Sequence, residues 1–249
     1  MSGKVYAIMS VVQGNGAKYV ATNLARAMKR KEKKENNKIL LVDFDFENPY
    51  LAYDFVKQDK THGIDNLLPH IHESGISQEI FQENIIATRI DVDVLRGTQF
   101  IGKYKQFSKF HIEAILDTAR KLYDIVIVVV SPKVNNAGTV YTLFHADQVI
   151  LVLRNNYSNY LRVDVAMRIV NQYAKGENPT LIVYNMQNVQ SKAEVNEKLK
   201  EFPFELKVAG VLEYDERSID NVDLDKKESM FLSKRINAKT FAEIEKHLV

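Results

Sequence analysis

The chain contains no cysteine. Disulfides, thiolate metal sites and cysteine nucleophiles are thereby excluded, and a reducing compartment fits. An excess of one charge is also missing. With 34 Lys and Arg against 32 Asp and Glu, the formal charge is +2, so bulk electrostatics make no case for a nucleic-acid binder and any DNA-binding surface has to be local. No apolar run approaches the roughly 18 residues of a transmembrane helix, and the N-terminus lacks the long apolar stretch of a signal peptide. A cytoplasmic protein without a transmembrane segment is the expectation. At 249 residues the chain can bury a large core, and one domain over 1–249 is the expected organisation.

The chain is organised around Val5 to Leu51. Lys4 to Ser10 is a short apolar run of the kind that forms a buried strand, and it stops at Gln13-Gly14-Asn15-Gly16. Two glycines around an asparagine let the backbone take positive φ and turn its N–H groups inward, as an anion-binding nest requires. A helix follows, with Val20, Ala21, Leu24, Ala25 and Met28 recurring at three- and four-residue spacing. Its positive N-terminal end faces whatever the loop holds, which favours a phosphate. The helix dissolves into the charged stretch Lys29 to Asn37, and Ile39-Leu40-Leu41-Val42 opens a second strand that ends in Asp43-Phe44-Asp45.

These residues resemble the ParA/MinD group of P-loop ATPases, whose loop reads KGGxGK followed by Ser or Thr, with NLA in the next helix and LLVDxDxxxPxL in the next strand. Asn23-Leu24-Ala25 and Leu40 through Leu51, with Pro49, match that pattern. The phosphate loop departs from it. An ungapped alignment puts the loop glycines at Gly14 and Gly16, Ala17 at the phosphate lysine, Lys18 at the magnesium-binding hydroxyl and Val12 at the additional signature lysine. The lysine neutralises the outer phosphates and the hydroxyl holds the metal; alanine does neither. A gapped alignment makes Lys18 the phosphate lysine but rotates the helix by about 100°, turning Leu24 and Met28 off the buried face. In a third arrangement the Lys18 ammonium sits near the metal position and replaces part of its charge.

Further along, Gly63 to Leu68 and Val92 to Gly97 are similar to the family's TxGLxDLL and LxVLPxG elements. His62, His70 and His72 lack partner ligands at a site-like spacing and read as solvated loop residues. Ile76 to Ile86 is amphipathic. Between Phe100 and Phe110, Lys103, Lys105 and Lys109 alternate with Tyr104, Phe107 and Phe110; the pattern suits single-stranded nucleic acid or, more simply, aromatics packed in the core or against a partner. A helix from His111 to Leu122 delivers the apolar run Asp124 to Val130, where the family reads DxVIIDTPP and this chain has Val129 at the metal-binding aspartate. Ala146 to Leu153 matches the family's ADxVLLV strand. Leu161, Val165, Ile169 and Val170 mark the expected buried side of the next helix, and Arg154, Arg162 and Arg168 form either a basic patch or a solvated face. Thr180 to Asn185 is a buried strand ending in the asparagine that the family uses on the adenine edge. A helix over Ser191 to Phe202, the strand element Leu206 to Asp215 and a last helix Ala238 to Leu248, burying Phe241, Ile244 and Leu248, complete the chain. That last helix is too short and too acidic for a membrane anchor.

Strands alternating with helices imply an α/β fold, a doubly wound and mostly parallel sheet with helices on both faces and its site at the C-terminal strand ends. The resemblance implies ATP or ADP bound by Gln13, Gly14, Asn15, Gly16, Ala17, Lys18, Tyr19 and Asn185, with Asp43 as a weak metal ligand at most. Losses at Ala17, Lys18 and Val129 argue against Mg2+ and for a degenerate member. Such a chain acts as a homodimer, or as a heterodimer with an active paralogue, in partition and intracellular positioning or in pilus assembly of the TadZ/CpaE type, secretion or conjugation machinery. An active partition ATPase using Lys18 and Asp45 catalytically is the first alternative. The second is a bacterial tyrosine-kinase domain, whose terminal tyrosine cluster is not found in Phe241 to Val249.

Overall fold

The structure, a computed structural model, describes residues 2–31, 37–55, 62–73, 75–100, 102–175, 178, 180–187, 197–204, 206–214 and 237–248. Residues 57–61 and 191–196, and Asp215 at the end of the last strand element, therefore lie outside the described residues. Strands β1 (Lys4–Ser10), β2 (Ile39–Phe44), β3 (Ile86–Ala87), β4 (Asp93–Leu95), β5 (Ile125–Val130), β6 (Gln148–Leu153), β7 (Thr180–Gln187) and β8 (Leu206–Glu213) form one sheet in the order β3-β4-β2-β5-β1-β6-β7-β8. Every pairing is parallel except that of β3 with β4. This is the doubly wound sheet that the alternating pattern predicts, with β1 flanked by β5 and β6 so that the chain reverses direction at its carboxyl end.

The central strands are apolar on both sides because helices cover both faces. On one face lie α1 (Ala17–Lys31) and α7 (Ala238–Glu245), packed on Tyr6, Ile8, Leu41, Ile127 and Val129. On the other, α4 (Lys109–Leu122), α5 (Ala137–His145) and α6 (Tyr157–Tyr173) cover Ala7, Met9, Val42, Phe44 and Val128. Short helices α2 (Ile64–Leu67) and α3 (Gln78–Glu83) lie between β2 and β3. Among the described residues no helix is long and apolar enough to cross a membrane. The stripe expected on α1 is buried throughout, with Leu24 fully enclosed and Met28 at 2% exposure.

Of the two readings of Phe100 to Phe110, core packing holds for Phe107, which is buried against Phe46 with ring centroids 5.4 Å apart. Two expectations need correction. α4 starts two residues earlier than expected, at Lys109 after the N-cap Ser108. On α6, Leu161 and Val165 are 60% and 52% exposed, and the buried side is Val163, Ala166, Met167 and Val170. Both sets obey helical spacing, so periodicity alone cannot say which one meets the sheet; the entry of the chain from β6 decides it. Leu161→Ser should accordingly change unfolding stability by less than about 0.5 kcal/mol, whereas Met167→Ala should cost about 2–4 kcal/mol through the cavity it leaves. Urea unfolding of the two variants checks this, and a large loss in Leu161→Ser would refute the assignment. In α7, Phe241 and Ile244 are buried as expected, while Leu248 lies past the helix end and is half-buried.

Candidate functional site

At the carboxyl ends of β1, β2 and β5, the segment from Val11 to Gly16 leads straight into α1. Gly14 and Gly16 have φ of 88° and 94°, values that side-chain-bearing residues rarely adopt. Gly16 is required on a second ground: a Cβ there would lie 2.3 Å from Nδ2 of Asn185. Asn15 is buried, and its side chain is spent on holding the loop down. Its Nδ2 donates to Asn159 Oδ1 at 2.5 Å and to the Val152 carbonyl at 3.3 Å, while its carbonyl accepts from Asn185 Nδ2 at 2.8 Å. Asn185, at the end of β7, is thus a clamp on the loop backbone.

Beside the loop sits a charge cluster. Nζ of Lys18, in the first turn of α1, donates to Asp45 Oδ2 at 3.1 Å and to the Asn48 carbonyl. Gln13 Nε2 donates to the same Oδ2 at 3.1 Å, whereas Oδ1 of Asp45 is buried without a hydrogen-bond partner among the described residues. Asp43 is enclosed. Its two oxygens accept from the backbone N–H groups of Asp45, at 3.1 Å, and Leu51, at 2.8 Å, so it shapes the turn that follows β2. Asp43 is in register with Val129 of β5, which places an apolar neighbour beside the carboxyl. Burial pushes the Asp43 carboxyl up to about 7, against the opposing pull of the Lys18 charge and the Leu51 N–H.

The residues expected at the site fall into three groups. Gln13, Gly14, Asn15, Gly16, Lys18, Asp43, Asp45 and Asn185 come together around the loop. Ala17 is buried in the α1 face of the core. Tyr19 turns away: its ring meets Phe241 edge-on at 6.0 Å and its hydroxyl accepts from Asn237 Nδ2 at 3.2 Å. Sequence reasoning missed Asn48, Asn156 and Asn159. Asn156 is the N-cap of α6, accepting from the Asn159 N–H at 3.0 Å, and the Asn-x-x-Asn spacing after an apolar strand was the available signal. Among the described residues no three His, Asp or Glu side chains converge into a metal-binding group.

A glycine loop between the central strand and a long helix, at the reversal point of a parallel sheet, defines a P-loop ATPase fold. A model of the AAA domain family matches residues 3–201; the chain belongs to that family, and its type is the ParA/MinD P-loop ATPase. No curated protein matches it. Among solved structures it is similar to a ParA family ATPase from Chlorobium tepidum TLS, with TM-score 0.80, 17% identity, and 99% of this chain and 100% of that one covered. It is also similar to a plasmid partition protein of Borrelia burgdorferi B31 bound to AMPPNP, with TM-score 0.69, 15% identity and 98% of each chain covered. The septum site-determining protein MinD of Pyrococcus horikoshii OT3, complexed with Mg-ADP, gives TM-score 0.73 and 15% identity over 97% of this chain and 94% of that one. At such identities these likenesses speak to the fold.

Proposed function

We propose that this chain binds ATP or ADP on the Gln13 to Ala17 loop as a structural ligand, largely without magnesium, and hydrolyses it weakly or not at all. It then acts by association in the cytoplasm, as a homodimer or with an active paralogue, in partition and intracellular positioning or in pilus, secretion or conjugation machinery. The observation that carries this reading is the ion pair between Lys18 and Asp45. In the resembling ATPases the position of Lys18 supplies a metal-binding hydroxyl; here an ammonium lies against the carboxylate instead. A divalent ion 4 Å from that ammonium would meet a repulsion of roughly 8 kcal/mol at an effective dielectric of about 20. The residues present therefore do not fit the metal. They do fit an anion: two positive-φ glycines and the N-terminus of the 15-residue α1 face the same space. The buried Leu24 and Met28 favour the ungapped alignment, in which Ala17 takes the lysine position.

Calorimetric titration with ATP and with ADP, first with magnesium and then with EDTA, tests the reading. Binding should persist in EDTA with an affinity changed by less than about threefold. Tight binding confined to magnesium would overturn it in favour of an active partition ATPase, whose turnover should then vanish in Lys18→Ala. Absence of binding in both conditions would leave a constitutive scaffold.

A further inference from the structure

The loop of this chain has lost the lysine that neutralises phosphate, yet one cation still touches it. Arg154, the first residue after β6, donates from Nη2 to the Gly14 carbonyl at 3.2 Å. Among the described residues that is the only acceptor of its guanidinium, and Nε is shielded from solvent with no partner there. Lys18, the other cation at the loop, is already matched by Asp45; Arg154 faces no carboxylate among the described residues. Its placement is built in. The Arg154 N–H donates to Asn159 Oδ1 at 3.1 Å, the same oxygen that accepts from the Asn15 side chain, and Asn159 is itself oriented by its Nδ2 bond of 2.8 Å to Asn156 Oδ1. One amide relay thus fixes the loop, the end of β6 and the start of α6 in register.

We infer that Arg154 is the cation that binds the phosphates of the ligand on this loop, supplying from β6 the charge that Ala17 cannot supply from α1. The inference rests on the nucleotide reading above and adds the residue that makes it electrostatically workable. A guanidinium suits the task because its planar fork offers several donors to phosphate oxygens and keeps its charge at any working pH. With a backbone carbonyl as the sole acceptor of its guanidinium among the described residues, that charge stays uncompensated until an anion arrives.

The test is titration of the whole chain with ADP and with adenosine, in EDTA, for wild type, Arg154→Lys and Arg154→Gln. Glutamine keeps a polar amide on a shorter stem and carries no charge, whereas lysine keeps the charge without the fork. Arg154→Gln should bind ADP about 10- to 100-fold more weakly, the range expected for losing a charge-assisted hydrogen bond. Its adenosine affinity and melting temperature should match wild type, and Arg154→Lys should retain ADP within about tenfold. Wild-type ADP affinity in Arg154→Gln would overturn the inference while leaving the nucleotide reading intact. Equal losses for ADP and adenosine would also overturn it, by showing that Arg154 only positions the loop. Failure of the wild type to bind ADP would remove the nucleotide reading itself, and the inference with it.

Discussion

Lys18→Met should lower the unfolding free energy by about 3 kcal/mol near pH 8, a large effect for one residue of a first helical turn. The substitution keeps most of the side-chain stem, so packing on α1 is nearly unchanged. What it removes is the positive charge beside two carboxylates, one enclosed and the other, Asp45, only 6% exposed in its side chain. Breaking a buried pair by deleting one partner costs about 3–5 kcal/mol because the remaining charge is left uncompensated. The lower end applies, since the Lys18 side chain is 22% exposed and solvent screens part of the interaction. Gln13 keeps its bond to Asp45 and softens the loss further. Urea denaturation of both proteins reads the difference directly, and an unchanged m-value would show that the native state keeps its compactness. Millimolar magnesium should restore part of the stability in the variant and none in the wild type, because only the variant leaves two carboxylates for a cation. A loss under about 0.5 kcal/mol would mean that the pair behaves as an ordinary surface contact and that the ammonium does not occupy a cation site.

The enclosed Asp43 sets the second large expectation, a fall in stability as pH rises through the acid-to-neutral range. Burial pushes its carboxyl up from the ordinary 3.8 to about 7 in the folded chain, so the folded state holds the proton more tightly than the unfolded state does. Below both values the two states are equally protonated and the group is neutral to stability. Between them the unfolded chain ionises first, and folding becomes progressively less favourable until the curve levels off above about pH 7. A gap of about three pH units corresponds to a loss on the order of 4 kcal/mol. Other carboxylates add slopes of their own, so the informative quantity is the wild type minus Asp43→Asn difference. That difference should shift by about 4 kcal/mol between pH 4 and pH 8 in favour of the variant. Asparagine retains one carbonyl acceptor for the Leu51 or Asp45 N–H, which keeps the turn after β2 recognisable. A difference that stays flat across the window would show that Asp43 is solvated or permanently paired, and would remove the argument that Val129 makes this pocket apolar.

Several elements were legible from residues alone because their signals are local. Two glycines around an asparagine need positive φ wherever they are placed, and the α1 stripe from Val20 to Met28 has one apolar side only. Central strands such as Ile125–Val130 are apolar at every position, which in a parallel sheet means cover on both faces. α6 was not legible in the same way, because it carries two apolar stripes, Leu161 and Val165 on one side and Val163, Met167 and Val170 on the other. That Phe107 is buried is legible from its type, but its partner Phe46 lies sixty-one positions away, beyond any sequence window.

The structure added α5 and β3, but by itself the sequence determined most of the other strands and helices, the glycine turn and the alanine, lysine and valine at positions 17, 18 and 129. These are properties of residue type and short-range spacing, and they hold before any tertiary contact forms. Only the tertiary structure decided what these residues do. It set the Lys18 ammonium on Asp45, enclosed Asp43 beside Val129, turned Tyr19 toward α7 and brought Arg154 to the carbonyl of Gly14. Each of these is a meeting of residues from different strands and helices, and its energy depends on burial and distance, which exist only once the sheet has closed around β1.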